Sequence, residues 1–539
     1  MKRPRLSEMT LREKIGQTAL GHPTSPGCAQ PERYPYGCMW GLGNLDMGVI
    51  NMADRAGEKI TDLPDWLKRM EQLNRRLPMP VLQANDSTTG IHECFQETHT
   101  LMDCVTIGAT GSEELAFEAG VLRARLEKCV GGRWVWCPEI DLSNRRKGIM
   151  LGRQYSDDPD MLMRMALADM KGVQSQRVAA TAKHFPGCDG LEYRDAHVCE
   201  NMLVIPMDEW KATQGAMFQK IIDAGVDSIM IAHGAFPACD PTTRHGRYLP
   251  ASVSKRVITD LLKGEMGFDG VVVTDAMDMG GFNGWYPTLH QTEIESFKAG
   301  CDMLLWPTPE YVDNLVAAVE SGEVPMERLD DAVSRILRMK EKLGLFASQD
   351  ARPLAPQEQA FVKDVARRTG DQSLTLLRDD MNLFPMSPDT RRRIAVIPVT
   401  HHQPAMQESA LLCRLLRERG FDVDEYPEGI TDAKTADYDL ILYALFSRPF
   451  RPMGFLDFMG SEAVKVQRAL QCAREKTLIV SFGSPYFAEQ YFERALTVVN
   501  AYSMLAPSVE AFVRAAVGEG TFTRFSPVAL RRYARGYGE

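Results

Sequence analysis

The sequence predicts an α/β protein made of a TIM-type (β/α)8 barrel followed by a second α/β sandwich. Three observations carry that expectation. From about Val81 to Pro307 short apolar runs alternate with helical patterns. A second series of such runs begins at Ile394, and a polar, Pro-rich stretch separates the two. At 539 residues the chain also exceeds the length that one hydrophobic core usually serves, so two domains are expected.

In the first series the runs are Trp134-Val135-Trp136-Cys137, Ala179-Ala180-Thr181-Ala182, Ser228-Ile229-Met230-Ile231, Val271-Val272-Val273 and Met303-Leu304-Leu305-Trp306. Runs apolar on both faces indicate buried parallel strands, and strand–helix alternation over this length indicates a closed barrel, with chemistry at the C-terminal ends of its strands. The clearest unit begins at Pro250-Ala251-Ser252-Val253-Ser254. Ser254 suits an N-cap, and the helix it starts carries Val257, Ile258, Leu261 and Leu262 on one face. Gly264 and Gly267 stop that helix, Phe268-Asp269-Gly270 turns the chain, and Val271 to Val273 form the next strand. Asp275 therefore falls at a strand's C-terminal end.

Residues 346–357, which include Ala347-Ser348-Gln349-Asp350-Ala351-Arg352-Pro353, have linker composition. We expect a barrel domain over 1–345 and an open α/β sandwich over 358–539. The sandwich strands are expected at Ile394-Ala395-Val396-Ile397, Leu440-Ile441-Leu442-Tyr443, Leu478-Ile479-Val480 and Val498-Val499.

Composition narrows the function. Hydrophobic residues at 44% and charged residues at 25% describe an ordinary soluble globular chain. With 62 Lys plus Arg against 72 Asp plus Glu the net charge is -10, which lacks the basic footprint of a nucleic-acid or anionic-membrane binder. A neutral or weakly polar small partner is expected instead. Met1-Lys2-Arg3-Pro4-Arg5-Leu6 runs into polar Ser7-Glu8 without the apolar segment of a secretory signal, and no run is long enough to span a bilayer. The 12 Cys are scattered with no C-x-x-C pair, which suits reduced thiols and a cytoplasmic protein. No His-x-x-x-His or paired-Cys spacing occurs, so neither a metal nor a cofactor is expected.

Two stretches carry chemistry. Leu261-Leu262-Lys263-Gly264-Glu265-Met266-Gly267-Phe268-Asp269-Gly270-Val271-Val272-Val273-Thr274-Asp275 resembles the active-site signature of glycoside hydrolase family 3. Lys183-His184-Phe185-Pro186-Gly187, followed by Asp195-Ala196-His197, resembles that family's β-N-acetylglucosaminidase branch. The resemblance implies a retaining β-N-acetylglucosaminidase acting on a β-linked amino-sugar glycoside or oligosaccharide. It makes Asp275 the nucleophile, His197 the acid/base and Asp195 the group that orients it. Imidazole titrates near neutrality, which suits a group that must donate and then accept a proton, and a carboxylate fixes its tautomer. The same resemblance assigns sugar contacts to Asp86, Arg153, Lys183, His184 and His233. For Arg153 and His233 a structural salt bridge and a core histidine are the ordinary alternatives.

The chain departs from the family pattern in two places. The loop Cys188-Asp189-Gly190-Leu191-Glu192-Tyr193-Arg194 is about one residue longer than the usual form, and Asp189 and Glu192 are competing carboxylates within it. After Asp86 the chain reads Ser87-Thr88-Thr89-Gly90, without the family's Glu. Three other readings stay open: a β-glucosidase whose acid is a second-domain Glu such as Glu408 or Glu462, a phosphorylase using the same intermediate, and a catalytically silent sugar-binding protein.

Overall fold

The computed structural model describes residues 3–22, 25–40, 63–86, 103–142, 152–188, 194–347, 351–400, 405–447, 457–471, 473–523 and 525–530. Eight parallel strands close a barrel: β1 (Ala19–Gly21), β2 (Cys38–Trp40), β3 (Leu82–Asn85), β4 (Trp134–Val135), β5 (Ala179–Phe185), β6 (Ser228–Ile231), β7 (Val271–Ala276) and β8 (Met303–Leu305). Each strand pairs with its sequence neighbour, and β8 returns to β1, where Ala19 faces Leu304. Side chains such as Leu20, Cys38, Leu82, Ala84, Trp134, Val271, Val273 and Met303 fill the lumen as one apolar cluster. This is the packed barrel interior that strands apolar on both faces dictate.

The unit before β7 follows the expected logic with one change. Ser254 Oγ accepts the Val257 N–H at 3.2 Å, and Val257, Ile258, Leu261 and Leu262 are buried. The helix over Arg256–Glu265, however, is wound as a π-helix. The strand that follows runs three residues beyond Val273, so Asp275 is its second-last residue.

The second unit is a six-stranded sheet of β9 (Thr375–Asp379), β10 (Arg393–Thr400), β11 (Asp422–Glu425), β12 (Leu440–Phe446), β13 (Thr477–Phe482) and β14 (Thr497–Asn500). Its order is β9-β14-β13-β12-β10-β11, parallel except for β9, which runs antiparallel to β14. Separate apolar clusters cover its two faces. A helix over Pro356–Ser373 lies between the two units: Arg368 reaches Glu118 of the barrel at 2.5 Å, and Asp371 holds Arg514 of the sandwich at 2.6 Å. A second tie is made further on. Ser156 Oγ donates to the Pro527 carbonyl at 2.5 Å, and the Ala529 N–H donates to Asp157 Oδ2 at 3.0 Å.

At the opposite end of the barrel from the strands' C-termini, Lys340 is fully buried. It donates to Gln17 Oε1 at 2.7 Å and to the Pro80 carbonyl at 2.8 Å, which matches the two N–H groups of a neutral amine. Burial pulls the Lys340 ammonium down to about 7. The unfolded chain keeps this proton up to the ordinary lysine range, so the unfolded state binds more protons between the two values and Lys340's contribution rises with pH there. We expect the unfolding free energy of the wild type minus that of Lys340→Met to grow by on the order of 2 kcal/mol from pH 7 to pH 9 in urea titrations. A gap independent of pH would mean the amine is charged when buried.

Candidate active site

Asp275, on the last turn of β7 toward the barrel mouth, sets the position of everything else. Its Oδ1 accepts the Ala276 N–H at 2.8 Å, and its Oδ2 lies 3.7 Å from His184 Nε2. Burial works against its charge, but His184, His233 and His197 around it outweigh that and hold its carboxyl down at about 2. An ionised, partly exposed carboxylate at a barrel strand's C-terminal end is a ready nucleophile.

Opposite it, the chain after β4 continues alongside β5. Ile140 N–H donates to the Lys183 carbonyl at 2.9 Å, and Glu139 bridges Lys183 in parallel register. Alternate residues of an extended segment share a side, so Glu139 and Asp141 both meet residues of the site. His184 Nδ1 donates to Asp141 Oδ2 at 2.6 Å, and the same oxygen accepts the His184 backbone N–H at 3.2 Å. Although burial opposes charge on Asp141, His184 holds its carboxyl below the usual range. Glu139 Oε2 sits 2.6 Å from Arg153 Nη2, and Arg153 Nη2 lies 3.7 Å from Asp86 Oδ2. Lys183 Nζ donates to Asp86 Oδ1 at 3.0 Å. Asp86, Arg153 and Lys183 are therefore one connected set, paired with Glu139, while His184 is held by Asp141 beside Asp275.

Glu139 and Asp141 escaped the sequence reading. Their signal was Pro138-Glu139-Ile140-Asp141, two carboxylates spaced by two directly after a strand. With His184 they are the one group of metal-ligand type among the described residues whose atoms lie within 4.8 Å of one another. Arg153 already supplies the positive charge beside Glu139, and Asp141 already holds His184 Nδ1, so a cation would have to displace both.

The dyad stands on the segment after β5. His197 Nδ1 and Asp195 Oδ1 are 2.6 Å apart, and the same oxygen accepts the His197 backbone N–H at 2.9 Å. Asp195 is fully buried while the His197 side chain is 23% exposed, so the ring is anchored through Nδ1 and still reaches the surface. Asp189, Glu192 and the Ser87-Thr88-Thr89-Gly90 departure lie outside the described residues. Glu462 accepts the Thr400 N–H at 2.8 Å and pairs with Lys465 at 2.8 Å, a local arrangement inside the sandwich.

A further feature had no signal that periodicity could read. Residues 276–282, at and after the end of β7, bind the segment of Asp195 and His197: Gly280 N–H donates to the His197 carbonyl at 2.7 Å and Gly281 N–H to the Ala196 carbonyl at 3.2 Å. A Cβ on Gly281 would collide with the carbonyl oxygens of Cys199 and Ala196, so this approach requires glycine. His233 braces the same stretch. Its Nε2 donates to the Ala276 carbonyl at 2.9 Å, its Nδ1 accepts from Ser252 Oγ at 2.8 Å, and its ring stacks on Phe282 with centroids 3.9 Å apart. Burial pushes its pKa down, which agrees with a neutral ring. Both nitrogens of His233 are thus engaged within the protein.

Residues 41–339 match the model of the "Glycosyl hydrolase family 3 N terminal domain". The chain belongs to glycoside hydrolase family 3. It is accordingly a glycoside hydrolase acting on O-glycosyl bonds. Over 560 aligned residues this family 3 chain is 28% identical to the β-N-acetylglucosaminidase/β-glucosidase of Cellulomonas fimi, covering 98% of this chain and 95% of that one. It is 32% identical over 294 residues to the β-hexosaminidase of Stenotrophomonas maltophilia (strain K279a), covering 53% of this chain and 82% of the relative. Among solved structures, the β-glucoside phosphorylase BglX bound to 2FGlc superposes with a TM-score of 0.84 at 26% identity, covering 97% of this chain and 95% of that one. The two-domain architecture of this family 3 member is thus shared along nearly its whole length. Among the described residues, no helix is long and apolar enough to cross a membrane.

Proposed function

We propose that this protein is a retaining, exo-acting β-N-acetylglucosaminidase that removes terminal β-linked N-acetylglucosamine from a glycoside or oligosaccharide. The observation that carries the reading is the His197–Asp195 pair at 2.6 Å on the barrel, beside an Asp275 held ionised. The catalytic unit is 1–345, joined through 346–357 to the sandwich over 358–539. Asp86, Arg153, Lys183 and His184 grip the sugar's hydroxyls, and His233 fixes the stretch after the nucleophile.

In this mechanism Asp275 attacks the anomeric carbon as His197 protonates the leaving oxygen, forming a glycosyl ester with inverted configuration. His197, now neutral, takes the proton of an incoming water, the C–O bond to Asp275 breaks, and the second inversion restores the β anomer. NMR of the fresh product should therefore record the β anomer first; initial α anomer would overturn the assignment. The chromogenic β-N-acetylglucosaminide should also be cut faster than the matching β-glucoside, and the reverse order would favour a β-glucosidase.

Phosphorolysis is the second reading, favoured by the resemblance to a β-glucoside phosphorylase over nearly the full chain. Phosphate in place of water would give a sugar 1-phosphate through the same ester. Product analysis with and without inorganic phosphate separates the two.

The glycine seat beneath the dyad gives a separate expectation. Gly281→Val pushes the segment of Ala196 and Cys199 away from Asp275, and a displacement of about 1 Å suffices for roughly a 100-fold loss in kcat. That loss should be large for alkyl glycosides and small for dinitrophenyl glycosides, which need little protonation. Equal loss on both would assign Gly281 to general stability instead.

A further inference from the structure

The register of the barrel brings one more side chain to the level of the nucleophile. Strand partners run from Leu20 through Cys38 to Leu82, from Ala84 through Trp134 to Ala179, and from Thr181 through Ser228 to Val271. Val273 pairs with Met303, whose neighbour Leu304 faces Ala19, and this closes the circuit. Strand tilt makes residues at one height advance by about two positions for every two strands crossed, so each level draws on alternate strands. Leu20, Ala84, Thr181 and Val273 are then one level, from β1, β3, β5 and β7. Leu20, Ala84 and Val273 share the lumen's apolar cluster, and Thr181 Oγ1 accepts from Trp134 of that cluster at 2.6 Å.

Two residues further along each strand, toward the mouth, the same side of the chain carries His22, Asp86, Lys183 and Asp275. Asp86 and Lys183 are joined at 3.0 Å, and the Asp275 side chain is 20% exposed. His22 is the fourth member. Two separate contacts agree that it faces inward. A Cβ on Gly21 would strike the Tyr36 ring, which packs outside the strands with Val272 and Leu304, so the residues on either side of Gly21 turn to the lumen. The His22 ring also meets Trp306 edge-on, with centroids 6.4 Å apart, and Trp306 packs on the lumen cluster. His22 is partly exposed, so its ring is not sealed beneath this level.

Round this level the order is His22, Asp86, Lys183, Asp275, which sets His22 across from Lys183 and between the two carboxylates. A sugar with its anomeric carbon at Asp275 and its far hydroxyls at Asp86 has Lys183 along one flank. Its other flank then faces β1 and His22. A neutral imidazole has one donor and one acceptor nitrogen, so it can pair with a hydroxyl in either sense. We propose that His22 is a sugar-binding residue, hydrogen-bonded to one hydroxyl on the flank opposite Lys183. This rests on the reading that Asp275 and Asp86 hold a β-glycoside. A His22 that served only to pack against Trp306 would act without regard to any particular hydroxyl, and the test turns on that difference.

His22→Phe keeps an aromatic ring against Trp306 and removes both nitrogens. Its kcat/KM is compared with that of the wild type on a chromogenic β-N-acetylglucosaminide and on the monodeoxy analogues that each lack one hydroxyl. On the parent glycoside it should fall about 10-fold, the size of one hydrogen bond of roughly 1.4 kcal/mol. On the analogue lacking the hydroxyl that His22 meets, variant and wild type should be equal, while the loss persists on the others. One common factor on every substrate, or no loss on any, overturns the inference. Calorimetric titration with free N-acetylglucosamine separates the inference from the reading beneath it. If the wild type binds the sugar and cleaves no glycoside, an affinity about 10-fold weaker in His22→Phe keeps the inference while the glycosidase reading falls. If turnover is robust and His22→Phe loses neither kcat/KM nor affinity, the glycosidase reading stands and the inference falls. A wild type that neither binds nor cleaves overturns both.

Discussion

Asp275→Asn should lower kcat by about 10,000-fold or more, because the amide keeps the shape of the carboxylate and cannot form the glycosyl ester. The surroundings make replacement by another group difficult. Asp141 is bound to His184, Glu139 to Arg153 and Asp86 to Lys183, so each nearby described carboxylate already has a cationic or imidazole partner. Single-turnover assays with a dinitrophenyl glycoside check this, and a variant within 100-fold of wild type would place the nucleophile elsewhere. The low pKa of Asp275, about 2, adds a corollary. Protonation of the nucleophile cannot set the acidic limb of kcat/KM in the neutral range, since the carboxyl stays ionised far below it.

The second large effect concerns His197, and it depends on the substrate. With a poor leaving group, His197→Ala should slow turnover about 100- to 10,000-fold, the usual range for a general acid. With dinitrophenol as leaving group, glycosylation should proceed with little loss while deglycosylation slows, so the ester accumulates. Azide should then restore rate by attacking without a base and give the glycosyl azide. Asp195→Ala should fall between wild type and His197→Ala, because it frees Nδ1 and removes the buried carboxylate that orients the ring. If His197→Ala leaves turnover of natural oligosaccharides intact, the acid is another group, and Glu192 and Asp189 become the residues to substitute.

The barrel was legible wherever a strand is apolar on both faces and several residues long. Ser228–Ile231 was read with its bounds, and Val271-Val272-Val273 was read with its bounding turn, because the packed lumen demands such runs. Ala19–Gly21 and Cys38–Trp40 went unread: three residues each, one including glycine and the other cysteine and methionine, do not stand out from loop composition. The edge strand Asp422–Glu425 was missed for the reason that it alternates buried and exposed positions and carries three acidic residues in four. Within the site, the motif residues were legible as local strings, and their partners were not. Asp141 lies 43 residues from His184, and Ser252 and Ala276 lie 19 and 43 residues from His233, so only the closed barrel brings them together. The seat at Gly280 and Gly281 is a backbone contact and leaves no trace in side-chain pattern.

The tie between Ser156 or Asp157 and the stretch at Pro527 and Ala529 spans 371 and 372 residues. Ser156 and Asp157 stand three and four residues after Arg153, so that stretch steadies the turn that delivers the guanidinium. On the ribosome, Asp275, His197 and Asp195 all emerge some 250 residues or more before Pro527 does, an interval that sets synthesis of the sandwich between them and the last brace. A nascent barrel would hold Asp275, His197 and Asp195 while the turn after Arg153 still lacked its contacts with Pro527 and Ala529. Closing so long a loop adds little entropy over a loop half its length, by roughly 0.6 kcal/mol. The order of synthesis thereby becomes an order of maturation, in which the strand ends that carry Asp275 and the segment of His197 come first and the tie to the turn after Arg153 is completed last.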